Sequence, residues 1–167
     1  MMNGRALLPL LSSLALAGCT VAPQSGGPTT PPPAPGPTAP PPGGPVVAAE
    51  VTGHWTGDWG DLYLRPEADG TVRGVYPHDT GSVVGRIEAG VFRGWWCEAP
   101  SRQPTADAGD VELTFMRGEG GLAVDGRWRY GTDGAWHDDW DLHWVETPVD
   151  AALVARLDDP AQFCAHP

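Results

Sequence analysis

A five-residue unit recurs along the C-terminal part of the chain: apolar, any residue, glycine, any residue, large apolar. It reads "VTGHW" at 51–55, "VRGVY" at 72–76, "VVGRI" at 83–87, "FRGWW" at 92–96 and "VDGRW" at 124–128. In a β-strand, residues two apart share a face. Each unit therefore lines Val or Phe, Gly, and an aromatic, Ile or Tyr along one side. The positions between them are mostly polar: Thr52, His54, Arg73, Arg86, Arg93, Asp125 and Arg127. This is period-two patterning with one buried face. Glycine inside such a stripe suits a sheet that curls, because backbone bends there and a neighbouring ring can lie over the missing side chain. A flat sheet has no use for so many of these positions, whereas a small closed barrel does.

Turn-formers punctuate the pattern at "EADG" (67–70), "HDTG" (78–81), "EAG" (88–90), "RGEGG" (117–121) and "GTDGA" (131–135). The runs between them predict eight strands, at 51–57, 60–65, 71–77, 82–88, 91–97, 110–117, 122–130 and 136–145. The expected fold is all-β: an antiparallel up-and-down meander barrel with a short C-terminal helix at 148–157. Eight strands enclose packed side chains or one small ligand.

"TGHWTGDWGDLYL" followed by "GTVRGVY" resembles the opening of the avidin family, in which T-G-x-W and G-x-Y strands begin an eight-stranded barrel. The Gly53-x-Trp55 pair also resembles the first strand of lipocalins. The resemblance implies the barrel but not biotin. Avidins place Asn and Ser in the turn after the tryptophan, and the matching positions here are Gly57 and Asp61.

The N-terminus has a different character. Arg5 precedes "ALLPLLSSLALAG", an apolar run too short to span a bilayer, and the run ends in "LAGC". This resembles a bacterial lipobox. The resemblance implies a signal peptide at 1–18, cleavage before Cys19, acylation of Cys19 and stable membrane anchoring by several acyl chains. Thr20 in place of Asp favours the outer membrane. A Pro/Gly/Thr-rich tract follows and cannot build a core. Residues 19–48 are accordingly expected to be a disordered tether, whose tract 20–47 would reach roughly 85 Å at about 3.1 Å per residue. Residues 49–167 are expected to form the one folded domain.

The full chain carries a net charge of −11, and loss of residues 1–18 removes one further positive charge, Arg5. Such a balance argues against nucleic acid and against anionic lipid surfaces as partners. The chain has no lysine, which excludes Schiff-base chemistry and a phosphate-loop lysine. No nucleophile elbow, zinc-protease helix or phosphate-cradling loop is present, and the domain has only Ser82 and Ser101 as serines. No cofactor is expected. With Cys19 assigned to lipid, Cys97 and Cys164 remain as an even pair in an oxidising compartment, which predicts a disulfide.

"WHDDWDLHW" at 136–144 offers two site readings. A strand would place Trp136, Asp138, Trp140, Leu142 and Trp144 on one face, with His137, Asp139, Asp141 and His143 on the other. The second set contains metal-ligand types, and His137 with Asp139 is the weak metal alternative. Same-face neighbours lie about 6.8 Å apart, however, so one strand cannot converge four of them on one ion. The favoured reading is a salt-bridged surface. Pairing residue 132 with 136 sets Arg129 opposite Asp139, Arg127 opposite Asp141, Asp125 opposite His143 and Trp128 opposite Trp140.

Of the eight tryptophans, the pattern sends Trp55, Trp96, Trp128, Trp140 and Trp144 inward. Trp95 points outward and is expected to be covered by Leu153, Leu157 or Phe163 once the disulfide draws in the tail. Trp59 and Trp136 lie near strand ends, and Asp138 faces inward close to them. These three are the candidate ligand-binding residues at a barrel mouth. The expected function is a non-enzymatic binding or interaction domain on a lipid-anchored envelope protein, taking a small molecule or another envelope protein. The alternative is a glycan hydrolase using paired carboxylates.

Overall fold

The computed structural model describes residues 43–166. The expected signal peptide, the lipidation at Cys19 and most of the Pro/Gly/Thr tract lie outside the described residues. The described chain forms eight antiparallel strands: β1 (Gly53–Gly57), β2 (Gly60–Pro66), β3 (Val72–Val75), β4 (Ser82–Glu88), β5 (Val91–Cys97), β6 (Ala108–Gly118), β7 (Gly121–Trp128) and β8 (Leu142–Val145). They follow one another in meander order, and β8 returns to β1 to close a barrel. Closure is antiparallel, with Trp55 opposite Trp144 and Gly57 opposite Leu142. A closed barrel leaves no free sheet edge.

The expected inward stripe fills the barrel. Trp55, Leu62, Leu64, Val72, Tyr76, Val83, Phe92, Trp96, Val111, Leu113, Phe115, Val124, Trp128, Trp140 and Leu142 belong to one buried cluster, with Trp144 packed against it. Rings meet edge to face, as in Trp55–Phe115 at 5.2 Å and Trp55–Trp144 at 5.3 Å. Such pairs add about 0.5–1.5 kcal/mol each beyond area burial.

The stripe glycines Gly74, Gly85, Gly94 and Gly126 all lie within strands. Their reason differs in part from the expected one. A Cβ at Gly85 would meet the Arg93 carbonyl and, at 2.6 Å, the Cα of Gly94, its direct cross-strand partner. A Cβ at Gly126 would meet the Trp140 carbonyl, and only at Gly53 would it meet an indole, that of Trp144. Glycine therefore serves mainly to bring backbones together where the sheet coils, more than to seat rings.

The two barrel ends differ. At one end lie the β2–β3, β4–β5 and β6–β7 turns and the start of β1. There Val46, on the tether side of the expected boundary at residue 49, is buried in the main core. The 3-10 turn Ala48–Glu50 and Val51 follow it. Glu50 pairs with Arg117 at 2.7 Å, and the Val51 carbonyl accepts from Trp55 Nε1 at 3.0 Å. This end is plugged. The other end gathers the β1–β2, β3–β4, β5–β6 and β7–β8 connections and stays open.

After β8 the chain turns back along the outer wall. The helix α1 (Ala151–Ala155) is shorter than expected and continues as two 3-10 turns, Arg156–Asp158 and Pro160–Gln162. Asp150 caps α1 by accepting from Ala152 N at 2.9 Å. Leu153 and Leu157 pack on the outward side chain of Val75, with Phe163 nearby. The Cys97–Cys164 disulfide then pins the tail to β5. Trp95 is 2% exposed, but its cover is not the three residues expected. It packs with Cys97, Ala108, Val84 and Cys164, and His166 meets its ring at 4.8 Å. Leu153 and Leu157 are drawn to Val75 because α1 climbs the β3 side of the wall.

Candidate functional site

The open end carries a cavity of about 170 Å³ bounded by Trp59, Trp96, Trp128, Tyr130 and Trp140, with His78, Asp79, Glu98 and Asp107 along its rim. Its walls begin with inward positions at strand ends. Trp96 and Trp128 are the penultimate residue of β5 and the last of β7, and Trp59 lies in the β1–β2 turn. Trp96 and Trp59 each stand nearly perpendicular to Trp128, at 86° and 88°, with centroids 5.2 and 5.8 Å apart. Tyr130 meets Trp128 edge-on at 5.1 Å, and Trp140 meets Tyr76 at 5.4 Å.

Three indole donors are already engaged. Trp59 Nε1 donates to the Asp139 carbonyl at 2.8 Å, Trp96 Nε1 to the Arg129 carbonyl at 3.0 Å, and Trp128 Nε1 to Asp139 Oδ1 at 2.7 Å. What these rings offer a ligand is therefore π and apolar surface, not hydrogen-bond donors.

The rim is acidic and tied down. Tyr76, buried, donates its hydroxyl to Glu98 Oε1 at 2.8 Å. Burial pushes the Glu98 carboxyl above its ordinary range, opposed by the Tyr76 hydrogen bond. Burial likewise raises the Tyr76 phenol well above its usual value, helped by the Glu98 charge. Asp107 accepts from both the backbone N and the hydroxyl of Ser101, which hold its carboxyl below the usual range. Asp79 and Thr80 adopt left-handed backbone, φ 41° and 55°. They are held there by Ala99 N donating to the Asp79 carbonyl at 2.7 Å and Arg102 to the Thr80 carbonyl at 3.1 Å. His78, Asp79 and Glu98 each present one ligand atom within 4.8 Å of the others, so these three could hold a divalent cation.

The sequence-derived candidates divide. Trp59 lines the cavity. Trp136 and Asp138 do not, because the β7–β8 pairing differs from the expected register. Val124 pairs with Leu142, two residues from the predicted alignment, and Trp128 bridges to His137. Counting from Trp128 to Val124 takes one residue fewer than counting from His137 to Leu142, so a bulge lies between them and exchanges faces. Trp136 is thereby turned outward, with the guanidinium groups of Arg127 and Arg129 over its ring at 4.5 and 4.6 Å. Asp138 lies on the outer face beside Glu112, Thr114, Asp125 and Arg127. His137 and Asp139 take the mouth side instead: His137 stacks on Trp128 at 4.5 Å, and Asp139 holds two indoles. Among the described residues the group able to converge on one ion is the His78 set, not His137 with Asp139.

The expected surface ladder is corrected in the same way. Arg127 pairs with Glu112 at 2.6 Å, and Arg129 with Asp110 at 2.6 Å, both on β6, not with Asp141 and Asp139. Arg93 reaches Glu112 from the other side at 3.2 Å. The cause is local. After Trp128 the chain stays with β6, where Arg129 N donates to the Asp110 carbonyl and Gly131 N to the Ala108 carbonyl. The tight turn assumed at 133–135 is replaced by a longer loop.

Residues His78, Asp79, Glu98 and Asp107 carried no motif. Their signal lay in strand parity: in an eight-stranded meander, the connections at 58–59, 76–81, 98–107 and 129–141 must share one end. No protein-family model, no curated protein and no solved structure matches this chain.

Proposed function

We propose that this chain is a lipid-anchored bacterial envelope lipoprotein whose barrel is a non-enzymatic binding domain, taking a small ring-shaped or apolar ligand at the open mouth. The "LAGC" run at 16–19 supports the anchor, and Thr20 supports the outer membrane. The avidin-like and lipocalin-like opening supports a barrel of the ligand-holding kind.

The observation that carries the ligand reading is the cavity walled by Trp59, Trp96, Trp128 and Trp140 at the unplugged end. At about 170 Å³ it is smaller than a site for a drug-sized molecule, about 300–1,000 Å³. It suits one ring or one compact head group. The test is intrinsic tryptophan fluorescence against a panel of small neutral and charged ring compounds, repeated with Trp59→Leu. A saturable change that Trp59→Leu abolishes supports the reading; a panel without any response defeats it. Mass spectrometry of the N-terminal peptide tests the anchor, with unmodified Cys19 as the contrary result.

A second reading, a glycan hydrolase, rests on the Asp79 and Glu98 carboxylate oxygens lying within 4.8 Å of each other. Hydrolysis of envelope glycan that is lost in both Asp79→Asn and Glu98→Gln would favour it over the binding reading.

A further inference from the structure

The mouth combines two features that select a ligand by charge as well as by shape. Its walls are aromatic rings whose indole donors on Trp59, Trp96 and Trp128 are already spent. Trp59 and Trp96 stand nearly perpendicular to Trp128, so ring surface lines the cavity in more than one plane, although His137 stacks on one face of Trp128 and His78 meets the Trp59 ring at 5.0 Å. Its rim carries the carboxylates of Asp79, Glu98 and Asp107. Among the described residues, one Glu98 oxygen accepts from Tyr76, one Asp107 oxygen accepts from Ser101, and one Asp79 oxygen lies 3.6 Å from His78 Nε2. Among the described residues, the lining contains no arginine, and the chain has no lysine at all. Arg102 and Arg156, which reach the rim segments, are turned onto backbone carbonyls of Thr80, Gln162, Tyr76 and Gly81. Among the described lining residues an anionic guest would meet three carboxylates and a single imidazole, His78, whose Nε2 lies 3.6 Å from Asp79 Oδ2. A neutral guest would leave the acidic rim unused.

We propose that the barrel mouth binds a small organic cation, a quaternary or otherwise methylated ammonium group seated against the indole faces with its charge toward Asp79 and Glu98. The proposal rests on the reading of the mouth as a ligand site and names the class of that ligand. A trimethylammonium head group fills a compact space, makes apolar contact with ring faces and needs no hydrogen-bond donor or acceptor from them. That is what the engaged indoles leave on offer. Its source is either a free solute or a lipid head group, and the recognised chemistry is the same.

The experiment is titration calorimetry with tryptophan fluorescence on the full chain, kept in a detergent without ammonium groups. The probes are choline, glycerophosphocholine as a soluble lipid head group, neohexyl alcohol as choline's uncharged isostere, and para-cresol as a neutral ring. Choline or glycerophosphocholine is expected to bind saturably, with neohexyl alcohol about tenfold weaker or more. Preference for choline assigns a free solute, and preference for glycerophosphocholine a head group. Glu98→Gln is expected to weaken the cation about threefold to tenfold while leaving para-cresol unchanged. Trp59→Leu is expected to weaken both. If neohexyl alcohol binds as well as choline, or only para-cresol binds, the cation inference falls and the ligand site stands. If no probe binds, both fall. If choline binds equally to wild type, Glu98→Gln and Trp59→Leu, it sits elsewhere and the inference is overturned.

Discussion

The indole N–H of Trp128 donates to Oδ1 of Asp139 at 2.7 Å, across the bulge between β7 and β8. This bond fixes the face that each residue of 136–140 presents. With Asp139 drawn to the mouth, its carbonyl also receives Trp59 Nε1, so one residue orients two cavity walls. Its neighbours are set by alternation: Asp138 outside, Trp136 against Arg127 and Arg129. A residue without catalytic chemistry thus shapes the site by spending ring donors.

Removing that acceptor should be felt in the fold and at the mouth together. Asp139→Ala leaves the partly buried Trp128 N–H without a partner, which costs about 1–3 kcal/mol. Asp139→Asn keeps an acceptor oxygen and is expected to stay within about 0.5 kcal/mol of wild type. Urea denaturation measures both. Equal stability of the Ala variant would mean that water replaces Asp139 without loss.

Much of this architecture was readable from residue order, for a physical reason. Alternation fixes which side chains face the core, so the strands, the buried Trp55, Trp96, Trp128 and Trp140, the partly buried Trp144 and the outward Trp95 followed from spacing alone. The pairing of Cys97 with Cys164 followed from counting. The β8 segment misled because "WHDDWDLHW" alternates well enough to pass for an unbroken strand. A bulge adds one residue without changing local composition, and period-two reasoning has no means of seeing it. The signal available for it was a cross-strand preference: Arg127 and Arg129 over Trp136 is a better outer-face arrangement than an indole at a crowded mouth. The acidic rim was illegible residue by residue, because His78, Asp79 and Glu98 sit in connections, where no periodicity operates.

Glu98 should make stability depend on pH in a definite direction. Burial raises its carboxyl above the ordinary value of 4.5. The folded state therefore holds the proton more tightly than the unfolded chain does. Its stabilising contribution is complete below the unfolded value and is lost as pH rises through the folded one. At neutral pH the ionised group weighs against the fold. Glu98→Gln keeps an oxygen for the Tyr76 hydroxyl and removes the charge. It is expected to unfold at a higher temperature than wild type at neutral pH, with the gap closing as the solution is acidified into the carboxylate range. Calorimetric melts across that range decide the matter; a variant less stable at neutral pH would show that the charge-assisted bond from Tyr76 outweighs the burial.

The Cys97–Cys164 bridge spans 67 residues and pins the segment that covers Trp95. On the chain-entropy account a loop of this size stabilises by about 4 kcal/mol. Reduction, or Cys164→Ser, is expected to lower the unfolding free energy by about 2–5 kcal/mol. It should also shift tryptophan emission to the red as Trp95 meets water. Denaturant titration followed by emission wavelength, with and without reductant, reads both effects. A midpoint indifferent to reductant would mean that the tail stays docked through Leu153 and Leu157 alone.

A close backbone approach in the sheet lies at Gly85 and Gly94, which face each other between β4 and β5. Alanine at Gly85 would place its Cβ against the Arg93 carbonyl and 2.6 Å from the Gly94 Cα. These are backbone atoms and cannot change rotamer to make room. The strands must separate instead, and separation opposes closure of the whole barrel. Gly85→Ala is therefore expected to cost about 1–3 kcal/mol or more, although strand propensity alone favours alanine over glycine. Gly120 has nothing within 4 Å of an added Cβ, so Gly120→Ala is the matched control and should be close to neutral. Chemical denaturation of both variants tests the idea that glycine is there to let neighbouring backbones touch. If Gly85→Ala proves as stable as Gly120→Ala, close backbone contact is not what holds the barrel's curvature.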